Sequence, residues 1–149
     1  MHRRSIVAGA FSAVGTLFAA AMSAKPANAA AQDKAKVVYH LCDLDKVNFV
    51  LTNIRNHIVG MGGADKVTIA LVVHGPALKA FHAANASTDL VHQVSEFSRA
   101  GLGLTACGNT MKVQSVTLKD LLPGFISADR GGVVRIAELQ SSGYVYLRP

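Results

Sequence analysis

A cysteine at the end of a predicted strand is the side chain in this sequence best suited to covalent chemistry. Cys107 stands in the segment Ala106-Cys107-Gly108-Asn109-Thr110. Gly108 has no Cβ, so a ligand or another backbone segment can approach the sulfur closely. If Asn109 opens a helical turn, the free N–H groups of that turn face the sulfur and favour the thiolate, which is the reactive form. The alternative is a buried cysteine that packs as a small hydrophobic residue.

Two further candidates, Cys42 and His74, follow the first and second predicted strands. The carboxyl ends of parallel strands meet at one edge of a sheet, so Cys42, His74 and Cys107 are predicted to lie on the same edge. His74 suits a general base, a ligand or a hydrogen-bonded turn residue. Cys42 suits a second reactive thiol, a core residue or a disulfide partner of Cys107. That disulfide would close a loop of about 65 residues and contribute about 4 kcal/mol in the chain-entropy account.

The sequence predicts neither a metal site nor a cofactor. Imidazole and thiolate suit zinc or copper, which makes His74, Cys42 and Cys107 a conceivable ligand set. No close ligand spacing such as C-x-x-C supports it, and His40, inside the first strand, is interpreted as a core or edge histidine. The glycines at 60–63 do not lie between a strand and a helix as a dinucleotide-binding loop requires. Phosphate-loop and serine nucleophile-elbow signatures are also absent from the sequence.

Strands and helices alternate along the chain. Apolar runs predict strands over 36–41, 66–73, 102–106, 125–128 and 144–147. Apolar residues at three- and four-residue steps predict helices over 47–58, 77–84, 89–100 and 133–140, with an irregular helical passage over 111–122. This alternation predicts an α/β fold, with a mostly parallel five-stranded sheet between two helical layers.

The first 29 residues have the features of a secretory signal peptide. Arg3 and Arg4 precede an uncharged apolar run of about 17 residues, and Ala27-Asn28-Ala29 supplies a small-x-small cleavage site. Paired arginines also occur in twin-arginine signals, and general secretion is the alternative. The run is shorter than the roughly 20 residues of a membrane anchor, so no membrane association is expected after cleavage. We expect a periplasmic protein with a flexible lead-in over 30–35 and one domain over 36–149.

The charge of the chain argues against nucleic-acid binding. The formal net charge is +6, but Arg3, Arg4 and Lys25 belong to the predicted signal. Without them, twelve basic and nine acidic residues leave +3. Lys and Arg do not cluster among aromatic residues, so a nucleic-acid partner is not expected.

Five segments together resemble the DsrE/DsrF-like proteins. They are Lys36-Val37-Val38-Tyr39-His40, Val72-Val73-His74-Gly75, Ala106-Cys107-Gly108-Asn109-Thr110-Met111, Leu121-Leu122-Pro123-Gly124, and the run from Ile136 to Gln140 with Gly143-Tyr144. Their order and spacing extend the resemblance over residues 36–149. The resemblance implies a three-layer α/β/α domain with a five-stranded sheet, and a homo-oligomer, either trimer or hexamer.

The resemblance also implies a role in sulfur transfer for Cys107. A cysteine at this loop carries sulfur as a persulfide in the sulfur-relay branch and passes it to a partner protein. Backbone N–H groups after Gly108, including that of Asn109, would stabilise the anionic sulfur, with His74 and Cys42 as auxiliary candidates. The donor or acceptor would be a protein or a small thiol. That branch is cytoplasmic, whereas this chain has an export signal. The alternatives are a binding or assembly module with a structural Cys107, and a thiol–disulfide protein that uses both cysteines.

Overall fold

Five strands and four α-helices alternate in the computed structural model, which describes residues 34–149. The predicted signal peptide and most of the lead-in lie outside the described residues. The strands are β1 (Ala35–Leu41), β2 (Val67–Val73), β3 (Gly103–Cys107), β4 (Phe125–Ala128) and β5 (Val145–Leu147). The helices are α1 (Val47–Gly60), α2 (Thr88–Arg99), α3 (Gly108–Val113) and α4 (Gly132–Ser141). Short 3-10 helices cover Leu44–Lys46, Gly75–Phe81 and Leu118–Asp120.

All strand pairs in the sheet are parallel, in the order β4-β3-β2-β1-β5. The predicted α/β fold with a five-stranded sheet is therefore confirmed. Strand order decides which side chains meet. The order places β2 between β1 and β3, so the carboxyl ends of these three strands are neighbours at one edge.

The direction of each crossover decides which face of the sheet a helix covers. The chain steps one way from β1 to β4 and then returns across the sheet to β5. With right-handed connections, the return places α4 on the face opposite α1 and α2. The packing agrees. Buried residues of α1 and α2 belong to one large cluster, whereas Ile136 and Leu139 of α4 pack with Val38, Ala70 and Val72 in a second, smaller one. Residues 34–149 thus form three layers, and one of these layers is the single helix α4.

Local sequence accounts for most element boundaries. β2 is an almost uninterrupted apolar run because both faces of the central strand are buried. α2 begins after Ser87, whose hydroxyl accepts a hydrogen bond from Leu90 N at 3.3 Å. The predicted helix over 77–84 was wrong, since the chain forms a 3-10 helix that ends at Phe81. It ends there because His82 forms an antiparallel bridge with Leu121.

Several boundaries differ from the prediction by one or two residues, and two of these shifts concern the lead-in and a candidate residue. β1 begins at Ala35, inside the predicted lead-in, and Cys107 is the last residue of β3 rather than the first residue after it. Neither shift changes which edge of the sheet the candidate residues occupy. No helix within residues 34–149 combines the length and the apolar character needed to cross a membrane.

Candidate functional site

Cys107 lies at the junction between the end of β3 and the first turn of α3. Its backbone is extended (φ −67°, ψ 119°), and the next residue, Gly108, begins the helix. A Cβ on Gly108 would lie 2.9 Å from the carbonyl oxygen of Ala128 and 3.0 Å from the Cα of Asp129. Glycine is required here because the backbone after β4 passes directly over this turn.

The first residue of α4, on the face of the sheet opposite α1 and α2, packs over Cys107. A Cβ on Gly132 would lie 3.2 Å from the Cβ of Cys107 and 3.4 Å from the Cβ of His74. Cys107 and His74 are therefore neighbours beneath the first residue of α4. The missing side chain of Gly132 lets the backbone N–H of this helix approach the sulfur of Cys107.

Several polar hydrogens around the sulfur of Cys107 favour its thiolate. Burial raises the pKa of the Cys107 thiol. The hydroxyl of Thr110 and the backbone N–H groups of Thr110, Gly132 and Asn109 outweigh that effect and hold the pKa below the ordinary value of a cysteine.

Thr110 links the sulfur to the loop that follows β2. Its hydroxyl oxygen accepts a hydrogen bond from the backbone N–H of Gly75 at 2.9 Å. The hydroxyl hydrogen is then free to point toward Cys107. The two loops are further tied by Gln114, whose side-chain amide donates to the carbonyl oxygen of Gly75 at 2.9 Å.

Access to Cys107 is restricted in the single chain. The residue is 6% exposed. A cavity of about 780 Å³ opens beside the loop and is lined by Asn109, Thr110, Lys79, His82 and Gln114 among others. Cys107 itself does not line that cavity. The surroundings of the sulfur thus suit a stabilised thiolate that is shielded from bulk solvent.

Three other side chains converge at the carboxyl ends of β1 and β2. The Nε2 atoms of His40 and His74 are in direct contact, and their rings stack with centroids 4.7 Å apart. Ligand atoms of His40, Cys42 and His74 all lie within 4.8 Å of one another, and the three residues are half-buried. Within residues 34–149, no other group of three His, Cys, Asp or Glu side chains converges in this way.

The register of the sheet explains this convergence. Leu41 of β1 pairs with Val73 of β2, so the next residues, Cys42 and His74, leave the sheet side by side. The backbone N–H of His74 donates to the carbonyl oxygen of Leu41 at 3.0 Å, which continues the pairing. His40 lies two residues before Cys42. Alternate residues of a strand share a face, so His40 and Cys42 point the same way.

Burial and nearby charges act on each member of this group. Burial lowers the pKa of both His40 and His74, and the positive charge of Arg148 lowers them further. Burial and the carboxylate of Asp43 raise the pKa of the Cys42 thiol. Burial and the charge of Arg148 both favour the neutral form of the two imidazoles. A guanidinium nitrogen of Arg148 lies 3.0 Å from the sulfur of Cys42 and 3.2 Å from Asp43 Oδ2.

The structure brings together some of the predicted residues and separates others. Cys42, His74 and Cys107 share one edge of the sheet, but both cysteines are free thiols and form no disulfide. His74 lies beside Cys107, yet its Nε2 contacts His40 instead of the sulfur. The ligand set conceived from the sequence included Cys107, whereas the observed group has His40 in that place.

His40 is the residue that sequence reasoning missed. As part of His40-Leu41-Cys42 it has the i, i+2 spacing that places two side chains on one face of a strand. That spacing was the available signal for grouping His40 with Cys42, whereas the contact with His74 depends on the register of β1 against β2. Tyr146 and Arg148 give no such signal, because they reach the group only through the pairing of β5 with β1.

The fold and the edge cluster define a class, namely an all-parallel five-stranded α/β domain with polar groups at the carboxyl ends of its central strands. MTH1491 from Methanobacterium thermoautotrophicum, described as a protein of unknown function, is similar at 26% sequence identity and a TM-score of 0.67. That match covers 77% of this chain and 99% of the other.

Two further solved structures share the fold. The ychN protein from E. coli matches with a TM-score of 0.59 at 12% identity, over 78% of this chain and 99% of its own. The protein of unknown function BT1422 from Bacteroides thetaiotaomicron matches with a TM-score of 0.57 at 18% identity, over 76% of this chain and 94% of its own. At these identities the two likenesses show the fold alone. No protein-family model and no curated protein matches the chain.

Proposed function

We propose that this chain is an exported, sulfur-handling member of the DsrE/DsrF-like family in which Cys107 carries sulfur as a persulfide. The observation that carries the proposal is the set of donors around the sulfur, from Thr110, Asn109 and Gly132, which lowers the pKa of the thiol despite its burial. A thiolate is the nucleophile in sulfur exchange, so a cysteine held in this form is suited to accept sulfur. The sequence resemblance supports the same role.

The proposed cycle moves one sulfur atom without net oxidation or reduction. The thiolate of Cys107 attacks the outer sulfur of a sulfane donor R–S–S⁻. A new bond forms from Sγ to that sulfur, the donor's S–S bond breaks, and R–S⁻ leaves. An acceptor thiolate then attacks the outer sulfur of the Cys107 persulfide, and Sγ departs as thiolate. The donors around Cys107 stabilise the anionic sulfur at both stages, so no separate base from His74 is required.

The proposal includes location and assembly. The signal features of residues 1–29 support export to the periplasm, where the donor or acceptor would be a protein or a small thiol. Homo-oligomer formation is supported by apolar side chains left in solvent on the α4 side, including Ile126 (55% exposed) and Val133 (67% exposed). Light scattering after size-exclusion chromatography tests the trimer or hexamer, and cell fractionation tests the periplasmic location.

A second function, ligand binding without turnover, is favoured by one specific observation. Cys107 is only 6% exposed, whereas the adjoining cavity of about 780 Å³ is open and polar side chains such as Lys79 and Gln114 line it. In this alternative Cys107 is a packed residue beneath α4, and the cavity holds a small ligand. The two functions differ in whether Cys107 reacts in the folded protein.

The deciding experiment is sulfur loading followed by intact mass spectrometry. The purified protein is reduced mildly, exposed to polysulfide and desalted before measurement. We expect a mass gain of one sulfur atom that is retained in Cys42→Ser and lost in Cys107→Ser. Cys42→Ser is the matched control, because it removes the other free thiol of the chain.

Two results would overturn the proposal in favour of ligand binding. One is no gain in the folded wild type together with slow alkylation of Cys107. The other is equal loading of both single variants, which would mean that the thiols react without selection by their surroundings.

A further inference from the structure

We propose that His40, Cys42 and His74 form a binding site for a single transition-metal ion of the zinc class, with two imidazole nitrogens and one thiolate sulfur as ligands. The site is separate from the sulfur chemistry proposed for Cys107 and does not depend on it.

The placement of the three side chains carries the inference. His40 is the last residue but one of β1, Cys42 directly follows the end of β1, and His74 directly follows the end of β2. The last residues of the two strands, Leu41 and Val73, are register partners. The sheet therefore fixes all three backbones relative to one another. The two Nε2 atoms face each other directly, and the sulfur lies within 4.8 Å of the nitrogens.

The distances fit one small ion. Zinc–nitrogen bonds of about 2.0–2.1 Å and zinc–sulfur bonds of about 2.3 Å place the donors of a tetrahedral site roughly 3.5 Å apart. Donor atoms that already lie within 4.8 Å reach that spacing by small side-chain rotations. Nitrogen and sulfur ligands select zinc over magnesium or calcium, which require oxygen ligands. Three protein ligands leave a fourth position open for water or another small molecule.

The surroundings supply the partners that orient such ligands. Nδ1 of His40 lies 2.6 Å from the hydroxyl of Tyr146. If Nδ1–H donates to that oxygen, Nε2 carries the lone pair and points at His74, which is the tautomer a metal needs. The carboxylate of Asp43 adjoins Cys42 and holds Arg148 at 3.2 Å. The carboxylate thereby offsets the guanidinium charge, which lies 3.0 Å from the sulfur of Cys42, and the thiolate offsets part of the charge of a divalent ion. Binding forms the metal–sulfur bond and releases the thiol proton of Cys42 to solvent.

Zinc titration of the full, metal-free chain tests the site directly. We expect one Zn²⁺ per chain by isothermal calorimetry, and with Co²⁺ a near-ultraviolet thiolate-to-metal absorption band. Cys42→Ser should abolish the band, and His40→Ala or His74→Ala should weaken Zn²⁺ binding at least 100-fold. Tyr146→Phe keeps the ring and removes the hydroxyl, so binding should fall about 10-fold.

Matched controls separate this site from other thiols and from surface histidines. Cys107→Ser removes the cysteine outside the set, and His92→Gln removes an imidazole that is 73% exposed on α2. Both variants should bind Zn²⁺ as the wild type does. A cobalt band that disappears in Cys107→Ser but persists in Cys42→Ser would overturn the assignment. So would the absence of a stoichiometric zinc site in the wild type, or equal binding in folded Cys42→Ser, checked by circular dichroism.

The sulfur-loading and zinc-binding experiments can refute the two proposals separately. Loss of loading with intact zinc binding would remove only the role of Cys107, and the reverse result would remove only the metal site.

Discussion

The hydroxyl of Thr110 should control both the acidity of Cys107 and the stability of the loop after β2. Thr110→Val replaces the side chain with one of nearly the same shape but without the oxygen. It removes the hydroxyl that favours the Cys107 thiolate and the acceptor that pairs with the N–H of Gly75 at 2.9 Å. Both effects follow from one atom, so they should appear together.

The size of the stability effect follows from the hydrogen bond that is lost. A polar group left without its partner costs about 1–3 kcal/mol when buried, and Gly75 is half-buried, so a loss of about 1 kcal/mol is expected. In a domain of this size that lowers Tm by roughly 4 °C. The pKa of Cys107 should rise, because burial then acts with one fewer opposing donor.

Alkylation as a function of pH measures the second effect. Restricted access slows the reaction of Cys107 at every pH by the same factor, so the midpoint of the rate profile reports the pKa rather than the exposure. The assay uses a Cys42→Ser background to leave one thiol. The midpoint should move to higher pH in Thr110→Val and stay near the wild-type value in Thr110→Ser, which keeps the hydroxyl.

An unchanged midpoint in a folded Thr110→Val protein would refute the reasoning. It would mean that the hydroxyl of Thr110 does not act on the sulfur. A shift of the same size in Thr110→Ser would assign the effect to side-chain packing rather than to the lost donor.

Two further predictions concern Cys107 and the residue of α4 that packs against it. Because the pKa of Cys107 is lowered in the folded state, its thiolate should add stability that is complete above the unfolded pKa of about 8.5 and lost as pH falls through the folded value. Urea titrations at several pH values should show the difference between wild type and Cys107→Ser growing as pH rises through that window, and a constant difference would contradict the lowered pKa. Gly132→Ala places a methyl group 3.2 Å from the Cβ of Cys107 and 3.4 Å from the Cβ of His74, which are side-chain atoms that no rotation can move away. Overpacking of about 1–3 kcal/mol, less the gain of about 1 kcal/mol from alanine in a helix, should leave a net loss of about 1 kcal/mol in the same titration. Ala137→Gly, at an exposed position of α4, is a control that should cost about 1 kcal/mol through helix propensity alone and leave alkylation of Cys107 unchanged.

Much of the fold could be predicted because its signals are local. The buried run of β2 and the apolar face of α2 each report their own structure through residue pattern. Strand order has no such local signal. It depends on which strands pair after the chain has folded, and the return to β5 through α4 is a property of the whole topology.

The same distinction explains the candidate site. The edge shared by Cys42, His74 and Cys107 followed from the rule that parallel strands end together. The contact between His40 and His74 required the register of β1 against β2, and the cover over Cys107 required the position of Gly132. Long-range packing decides both contacts. The sequence therefore predicted which residues lie at this edge of the sheet, but not which of them are in contact.

Mapping the added sulfur by tandem mass spectrometry tests the central claim most directly. After polysulfide treatment, reaction with an alkylating agent that preserves persulfides, and digestion, the account predicts the extra sulfur on the peptide that contains Cys107, in wild type and Cys42→Ser alike. Extra sulfur on the Cys42 peptide alone, or on neither peptide in the folded protein, would contradict it.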